Sequence, residues 1–197
     1  MKRRLFGFAV AVAGMLVAAT AFAQSTGAEP NRGFMFQIGA GPSSISYGTL
    51  IDASFAAAQA SGADRVQVYL NIDAGYALTQ RLYLVAGVDG AGDRFYDATG
   101  AYVQLNSYLY HAGLRYYPFG TGLLFGIDGG ASALLVQSNV GLAAGPTWGW
   151  GTGATIAYDF SKRATGFGLE VGLRVNYLSI NASPITVAAL YLDLLWK

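Results

Sequence analysis

The stretch WGWGTGATIAYDF, residues 148–160, decides the fold of this chain. Aromatic and aliphatic side chains occupy most alternate positions, and glycine or small polar residues lie between them, a period of two that is typical of a β-strand. Its aromatic residues lie at the two ends, where a strand that crosses a bilayer meets the two membrane–water interfaces. From Trp150 to Tyr158 a strand extends about 27 Å at roughly 3.3 Å per residue, and tilted by about 40° it covers the apolar band of an outer-membrane barrel. The stretch therefore predicts a membrane-spanning β-strand.

Seven further segments show strand alternation, so we predict eight strands in all. Their predicted bounds are 33–41, 65–77, 82–89, 102–116, 122–136, 148–160, 167–177 and 186–196. After the N-terminal leader, no segment has the roughly 18 unbroken apolar residues of a spanning helix. Only helices and closed barrels satisfy every backbone polar group in lipid. We therefore predict an all-β fold, an eight-stranded antiparallel transmembrane up-and-down β-barrel over residues 33–197.

The N-terminus has the three parts of a secretory signal peptide. Lys2, Arg3 and Arg4 precede an apolar run over residues 5–19, and Ala21-Phe22-Ala23 forms a small-x-small cleavage site. We predict a cleaved signal peptide over 1–23 and a short periplasmic segment over 24–32; an uncleaved anchor is the alternative, for which the run is somewhat short. The sequence contains no cysteine, so we expect neither a lipoprotein nor a disulfide-stapled scaffold.

The connections between the predicted strands alternate in length, which sets the expected orientation. Short ones lie at 78–81, 117–121 and 161–166, long ones at 42–64 and 90–101, a middling one at 137–146, and a short last loop at 180–185. Short turns face the periplasm in this architecture and long loops face outward, so both termini are expected on the periplasmic side.

The first long loop carries a predicted amphipathic helix at 50–60. Leu50, Ile51 and Phe55 are its candidate gating residues, although an ordinary loop over the rim remains open. At the tip of the second long loop we place Arg94, Phe95 and Tyr96, as an anchor at the lipid headgroups.

The last predicted strand places Leu190, Leu192, Leu194 and Trp196 at alternate positions. Together with the strand pattern and the loop alternation, it makes residues 33–197 resemble the small eight-stranded outer-membrane barrels of the OmpA, OmpX and OmpW type. The resemblance implies a bacterial outer-membrane location, contact with outer-membrane lipid and lipopolysaccharide or an equivalent, and recognition of the last strand by the barrel insertion machinery. Lys197 departs from that pattern, because it displaces the aromatic residue by one place.

Strand parity assigns polar residues to the lumen and aromatic residues to two girdles. We expect glycines on the inner face to make room for the lumen network, in which His111 pairs with Asp128 and Arg174 with Asp193. The predicted lumen network comprises Asp73, Asp89, His111, Arg115, Asp128, Asp159, Glu170, Arg174 and Asp193, with Gln37 on the same face. The predicted girdles comprise Tyr108, Tyr116, Trp148, Trp150, Tyr158, Phe160, Phe167, Tyr177 and Trp196.

Catalytic and cofactor signatures are weak. His111 is the only histidine, and Gly113 stands where lipid A deacylases of this barrel type carry a serine two positions after their histidine. Ser107 lies about 13 Å along the strand, too far for a nucleophile–base pair. The loop acids Asp52, Asp64, Asp93 and Asp97 lack the spacing of a calcium loop, so we expect them to be solvated. We predict no enzyme activity, no cofactor and no bound metal.

Two classes of function follow. The first is a non-enzymatic outer-membrane barrel with a largely plugged polar lumen, which serves envelope structure or binds external surface partners. The alternative, which resemblance to the OmpW type implies, is a narrow channel or binder for small hydrophobic molecules. A lipid-modifying enzyme is the third reading. Once the basic leader is removed, acids slightly exceed bases, so nucleic-acid binding is not expected.

Overall fold

The computed structural model describes residues 33–97, 99–119, 121–139, 141, 144–161, 166–181 and 183–197. The predicted signal peptide and the segment 24–32 lie outside the described residues. The strands are β1 Phe34–Ser46, β2 Asp64–Ala77, β3 Leu82–Tyr96, β4 Tyr102–Tyr116, β5 Leu123–Ser138, β6 Ala144–Asp159, β7 Phe167–Ile180 and β8 Ser183–Trp196. One helix, α1 Thr49–Ala60, lies between β1 and β2.

The eight strands form one closed antiparallel sheet in which each strand pairs with its sequence neighbours. Closure is made by β1 and β8, where Phe36 lies opposite Trp196 and Ser46 lies opposite Thr186. A closed sheet has no unpaired edge, so its backbone polar groups are satisfied without water. The predicted up-and-down β-barrel is confirmed.

The third strand is longer than its sequence pattern suggested. β3 continues beyond the predicted end at Asp89 and pairs with β4 as far as Tyr96, which lies opposite Tyr102. The predicted long loop 90–101 is therefore wrong, and a short turn after Tyr96 replaces it. Gly90 and Gly92 occupy outward positions without a side chain, so the apolar alternation of the sequence stops at Val88. Their backbones nevertheless pair with β2 and β4.

The first connection contains the predicted helix, with bounds close to those expected. Gly48 precedes α1 with a φ of 88°, which a residue with a Cβ adopts only at a cost. Among the described residues, no helix has the length and apolar character needed to cross a membrane.

Side chains alternate between the two faces of the sheet along every strand. On β7, Leu169, Val171, Leu173 and Val175 are exposed, and the residues between them are buried or half-buried. The exposed belt of aliphatic residues that results continues around the barrel, and aromatic residues flank it on both sides. Such a surface is stable in lipid and would be costly in water.

Candidate functional site

The centre of the lumen holds a cluster of charged groups around His111. Its Nε2 lies 3.2 Å from Asp73 Oδ1 and 3.7 Å from Asp89 Oδ1, while Nδ1 lies 4.0 Å from Asp128 Oδ1. The predicted pairing of His111 with Asp128 is therefore the weakest of three. The register explains the difference, because β5 places Gly130 opposite His111 and Gly113 opposite Asp128.

Arg174 joins two of these carboxylates. Its Nη2 lies 2.6 Å from Asp89 Oδ2 and 2.8 Å from Asp128 Oδ2, and its Nε and Nη1 donate to Asn176 and Thr155, each at 3.0 Å. The predicted pairing of Arg174 with Asp193 is wrong, because β8 places Ala189 opposite Arg174 and Glu170 opposite Asp193. The actual partners come from β3 and β5, across the lumen.

Arg115 is the second cation of the cluster. Its Nη2 donates to Asp73 Oδ2 at 2.7 Å, and its Nη1 donates to Gln37 Oε1 and lies 3.5 Å from Glu170 Oε1. Tyr191 donates its hydroxyl to the same Glu170 oxygen at 2.8 Å. This arginine therefore connects β1, β2 and β7 through the interior, which adjacent-strand pairing alone does not do.

Asp193 accepts hydrogen bonds from two amides, Gln37 and Asn71, the latter at 3.0 Å. Its side chain fills the space that Gly39 leaves open, because a Cβ added at that glycine would lie 1.5 Å from Asp193 Oδ1. Gly39 lies between Asn71 on β2 and Asp193 on β8 in the sheet register. The glycine thus allows a carboxylate to fold flat against the barrel wall.

Lys197 lies at the lower end of the lumen, the end where β1 starts and β8 finishes. Its Nζ donates to Asp159 and lies 5.9 Å from the Tyr117 ring centroid. The residue that departs from the family pattern is therefore an inward-facing partner for a buried acid. Strand parity in the sequence already indicates this inward orientation of Lys197, because residue 197 has the same parity as the inward residues 193 and 195.

Large side chains fill the space between the charged groups. Tyr69 is almost completely buried and donates its hydroxyl to Asp89 Oδ1 at 2.6 Å, and its ring centroid lies 6.2 Å from that of Tyr191. All nine predicted lumen residues lie inside the barrel, and eight of them are buried, with Asp128 half-buried. Charged and aromatic side chains therefore share the interior at this level of the barrel.

The lumen also contains apolar layers above and below the charged cluster, which the sequence analysis did not single out. Near the end that carries α1, the buried residues include Ile45, Leu109, Leu178, Ile185 and Val187. The opposite end contributes Met35, Tyr83, Val85, Tyr117 and Leu124. Strand parity assigns these residues to the inner face, so the alternation in the sequence contains the signal for both apolar layers.

The outer surface carries the predicted aromatic girdles. Eight of the nine predicted residues are exposed and Tyr108 is half-buried. Near the α1 end, Tyr110 lies 5.9 Å from Trp148 and Trp150 lies 5.9 Å from Tyr177, between ring centroids. Amphipathic rings at two heights on an apolar cylinder match the two interfaces of a bilayer.

Comparison with solved structures identifies the architecture. Ail, the attachment invasion locus protein of Yersinia pestis, in complex with the heparin analogue sucrose octasulfate, matches with a TM-score of 0.59 and 12% identity over 84% of this chain and 99% of that chain. Neisserial surface protein A matches with a TM-score of 0.52 and 18% identity over 83% of this chain and 96% of that chain. The chain has the fold of the small eight-stranded outer-membrane barrels. No protein-family model and no curated protein matches the sequence.

The serine nearest to His111 in the sequence, Ser107, forms its hydrogen bond with a backbone carbonyl and not with His111. Ser107 Oγ donates to the Ala91 carbonyl at 3.3 Å, and neither ring nitrogen of His111 is in hydrogen-bonding geometry with any described group. Among the described residues, no group of three or more acidic, histidine or cysteine side chains is arranged to hold a metal ion. The geometry around His111 is thus that of an ion-paired side chain in a packed interior.

At the α1 end of the barrel, Phe55 forms aromatic contacts with two neighbouring rings. The Phe55 ring stacks on Phe95 with centroids 4.2 Å apart and meets Tyr47 edge-on at 5.5 Å. Arg65 lies against both phenylalanine rings and donates to Asp93 at 2.7 Å. Phe95 is therefore a buried contact for the helix, not the exposed loop tip predicted. The side chains of the other two candidate gating residues, Leu50 and Ile51, lie outside what the structure describes.

Asp52 ties the start of α1 to the end of β1. It accepts hydrogen bonds from the Ser46 hydroxyl and from the Tyr47 N–H, the latter at 3.0 Å. Burial acts to raise the pKa of Asp52, but these hydrogen bonds outweigh it and hold the pKa below its ordinary value. In the turn after β3, hydrogen bonds from the Thr99 hydroxyl and N–H lower the pKa of Asp97. These acids have structural partners within their own loops.

Proposed function

We propose that this protein is a non-enzymatic barrel of the bacterial outer membrane with a closed lumen, and that it serves envelope structure or surface interaction. The observation that carries the proposal is the buried network that crosses the interior. Arg174 and Arg115 together contact four acids, Asp89, Asp128, Asp73 and Glu170, so that the network spans five strands.

The energetics of such a network favour a closed state. A buried ion pair is costly to break, because removing one partner leaves an uncompensated charge in a region of low dielectric, at about 3–5 kcal/mol. An ion that crossed the barrel would have to displace Arg174 from Asp89 or Arg115 from Asp73. The aromatic rings of Tyr69 and Tyr191 add a steric barrier at the same level.

The loop lengths support an orientation. The longest described connection, which contains α1, lies at one end of the barrel, and the turns at 78–81 and after Tyr116 lie at the other. Long loops face outward in this architecture. We therefore place α1 at the cell surface and both termini on the periplasmic side.

The charge at the α1 end bears on the kind of surface partner. The Ail structure contains sucrose octasulfate, a polyanion. In the present chain, Asp52, Asp64 and Asp97 lie at this end, and Arg65 is already paired with Asp93. Arg94 is the other base described at this end and lies on the outer wall, so acids still exceed bases here. The surface partner we infer for the top of the barrel is therefore neutral or cationic rather than a sulfated polysaccharide.

Planar-bilayer conductance tests the closed lumen. Refolded wild-type protein is expected to show no conductance of the nanosiemens class. Combined Tyr69→Ala and Tyr191→Ala substitutions remove two rings from the lumen and are expected to produce measurable conductance. Tyr110→Ala is the matched control, because this ring lies on the outer face. Large conductance from the wild type would refute the closed lumen.

A second candidate function is binding of small hydrophobic molecules. The apolar layer beneath α1, which includes Leu178 and Val187, is the observation that favours it. A fluorescent fatty acid titrated into the refolded protein tests this alternative. Saturable binding that is lost on deletion of residues 50–60 would make hydrophobic-ligand binding the favoured function. Absence of binding would exclude this function.

A further inference from the structure

The outer wall of the barrel carries a polar cluster above the aromatic girdle at the α1 end. We name it the outer-wall cluster. It comprises Arg94 and Tyr96 on β3, Tyr102, Gln104 and Asn106 on β4, and Gln137 on β5. These residues share the outward parity of Val88, Tyr108 and Ala133, so they face the membrane side of the sheet and not the lumen.

The register gives the height of the cluster. Gly90 lies opposite Tyr108, and Arg94 lies opposite Gln104, two outward positions farther along the strands. Each outward position adds about 5 Å along the membrane normal, for two residues at roughly 3.3 Å and a tilt of about 40°. Arg94 therefore lies about 10 Å beyond the girdle row of Tyr108 and Trp148, at the level of the lipid headgroups rather than the acyl chains.

Hydrogen bonds run through the cluster in one direction. Arg94 Nε donates to Gln104 Oε1 at 2.5 Å, Gln104 Nε2 donates to Asn106 Oδ1 at 2.6 Å, and Asn106 Nδ2 donates to Gln137 Oε1 at 3.2 Å. Arginine has no acceptor, so the first bond determines the orientation of each amide that follows. Every amide oxygen already accepts a bond, and the N–H groups that remain are donors.

The guanidinium of Arg94 is held in place but has no anionic partner in the part of the chain that the structure describes. It lies 4.6 Å from the Tyr102 ring centroid, and Nη1 donates to the Tyr96 hydroxyl at 3.1 Å. Among the described residues, no carboxylate is within ion-pair distance of Arg94; Asp64 lies opposite Tyr96, and the adjacent Asp93 is paired with Arg65 on the inner face. Three of its five N–H donors remain available.

Gly92 leaves a shallow surface beside the outer-wall cluster, because it has no side chain. It lies opposite Asn106, and a Cβ added there would lie 3.5 Å from Asn106 Oδ1 and 3.9 Å from Gln104 Nε2. The glycine keeps the wall between Arg94 and the girdle shallow, so a headgroup can approach the donors from the membrane side.

We propose that the outer-wall cluster binds a phosphate group of an outer-leaflet lipid, with Arg94 as the charged donor and the amides of Gln104 and Gln137 as neutral donors. The ligand class is a phosphorylated glycolipid or phospholipid headgroup, because the free groups of Arg94, Gln104 and Gln137 are donors and the cluster faces the lipid. The inference rests on the proposed membrane location and names one lipid contact of the barrel.

The experiment measures lipid binding to the refolded full chain in micelles by native mass spectrometry. The probe is a bisphosphorylated disaccharide lipid, compared with the same lipid after removal of its phosphates. Arg94→Gln is expected to raise the Kd about tenfold, the effect of ~1.4 kcal/mol from one lost charged hydrogen-bond donor. Arg81→Gln is the matched control, since this arginine lies in a turn at the opposite end, and its Kd is expected to equal that of the wild type.

A second variant keeps the test independent of folding defects. Gln104→Glu retains the side-chain size and the bond from Arg94, but it supplies a carboxylate that neutralises the guanidinium, so the same loss of affinity is expected. Equal Kd values for the wild type and both variants, or for the two forms of the lipid, would overturn the proposal. Displacement of the lipid by an equal concentration of inorganic phosphate would assign the site to free phosphate and overturn the lipid source.

Insertion into phospholipid vesicles, scored by protection from protease, separates this inference from the proposed function. A chain that folds in micelles but does not insert would overturn both. A barrel that inserts but binds both lipid forms equally would overturn only the outer-wall site.

Discussion

Replacing Arg174 by methionine removes the guanidinium that joins two carboxylates in the lumen. Methionine retains most of the side-chain volume, so the change isolates charge and hydrogen bonding. Asp89 and Asp128 lose partners at 2.6 and 2.8 Å, and Asn176 and Thr155 lose donors at 3.0 Å. Because the two acids remain buried beside Asp73, we expect a loss of about 3–5 kcal/mol in the free energy of unfolding.

Urea unfolding of the refolded protein in vesicles, followed by tryptophan fluorescence, measures this loss. Arg81→Met is the control, because that side chain is exposed and its removal is expected to cost less than about 1 kcal/mol. Adding Asp89→Asn to Arg174→Met is expected to recover part of the loss, since one uncompensated carboxylate becomes neutral. A loss below about 1 kcal/mol for Arg174→Met, or strictly additive effects of the two changes, would refute the view that a coupled buried network closes the lumen.

Two further predictions concern the loop and the lipid-facing surface. The lowered pKa of Asp52 means that its hydrogen bonds with Ser46 and Tyr47 stabilise α1 above the ordinary carboxyl pKa of about 3.9 and are lost as the pH falls below it. The protection of the α1 amides against hydrogen exchange, taken relative to the intrinsic rate at each pH, is expected to fall between pH 7 and pH 3. Unchanged protection in the wild type would contradict this, and Asp52→Asn should remove the difference between the two pH values. Leu173→Arg, near the middle of the belt, is expected to cost about 2–4 kcal/mol in vesicles, against roughly 0–1 for Phe167→Arg at the interface. Equal costs at the two positions would be inconsistent with a membrane-spanning belt.

Much of the architecture could be predicted from local patterns. The alternation in 148–160 depends only on which side chains lie in lipid and which in the lumen, and each strand carries that pattern by itself. The helix between β1 and β2 was also predicted, because alanine-rich segments favour helix whatever surrounds them. The ends of the strands were harder to predict. In β3, glycines at outward positions interrupt the apolar alternation, although their backbones still pair.

The pairing of charges in the lumen could not be predicted in the same way. Sequence parity brought His111, Arg174 and their acids to one face, but strand neighbours alone suggested Asp128 and Asp193 as partners. In the sheet register, Gly87 lies between His111 and Asp73, and Asp89 lies one diagonal step from His111 on the adjacent strand, so these two become the closest acids to His111. The contact of Arg174 on β7 with Asp89 on β3 crosses the interior and depends on closure of the whole sheet.

The sequence by itself thus determined a lipid-facing barrel of eight strands, the composition of its two faces and the location of its helix. Only the tertiary structure decided which charges neutralise one another, that Asp159 is the partner of Lys197, and that Arg94 lies on the outer wall with no acid beside it among the described residues. The physical reason is the sequence separation of the residues that interact. Alternation is a property of two consecutive residues, whereas an ion pair across a lumen requires that distant strands come within about 4 Å, a distance that the register and closure of the barrel determine.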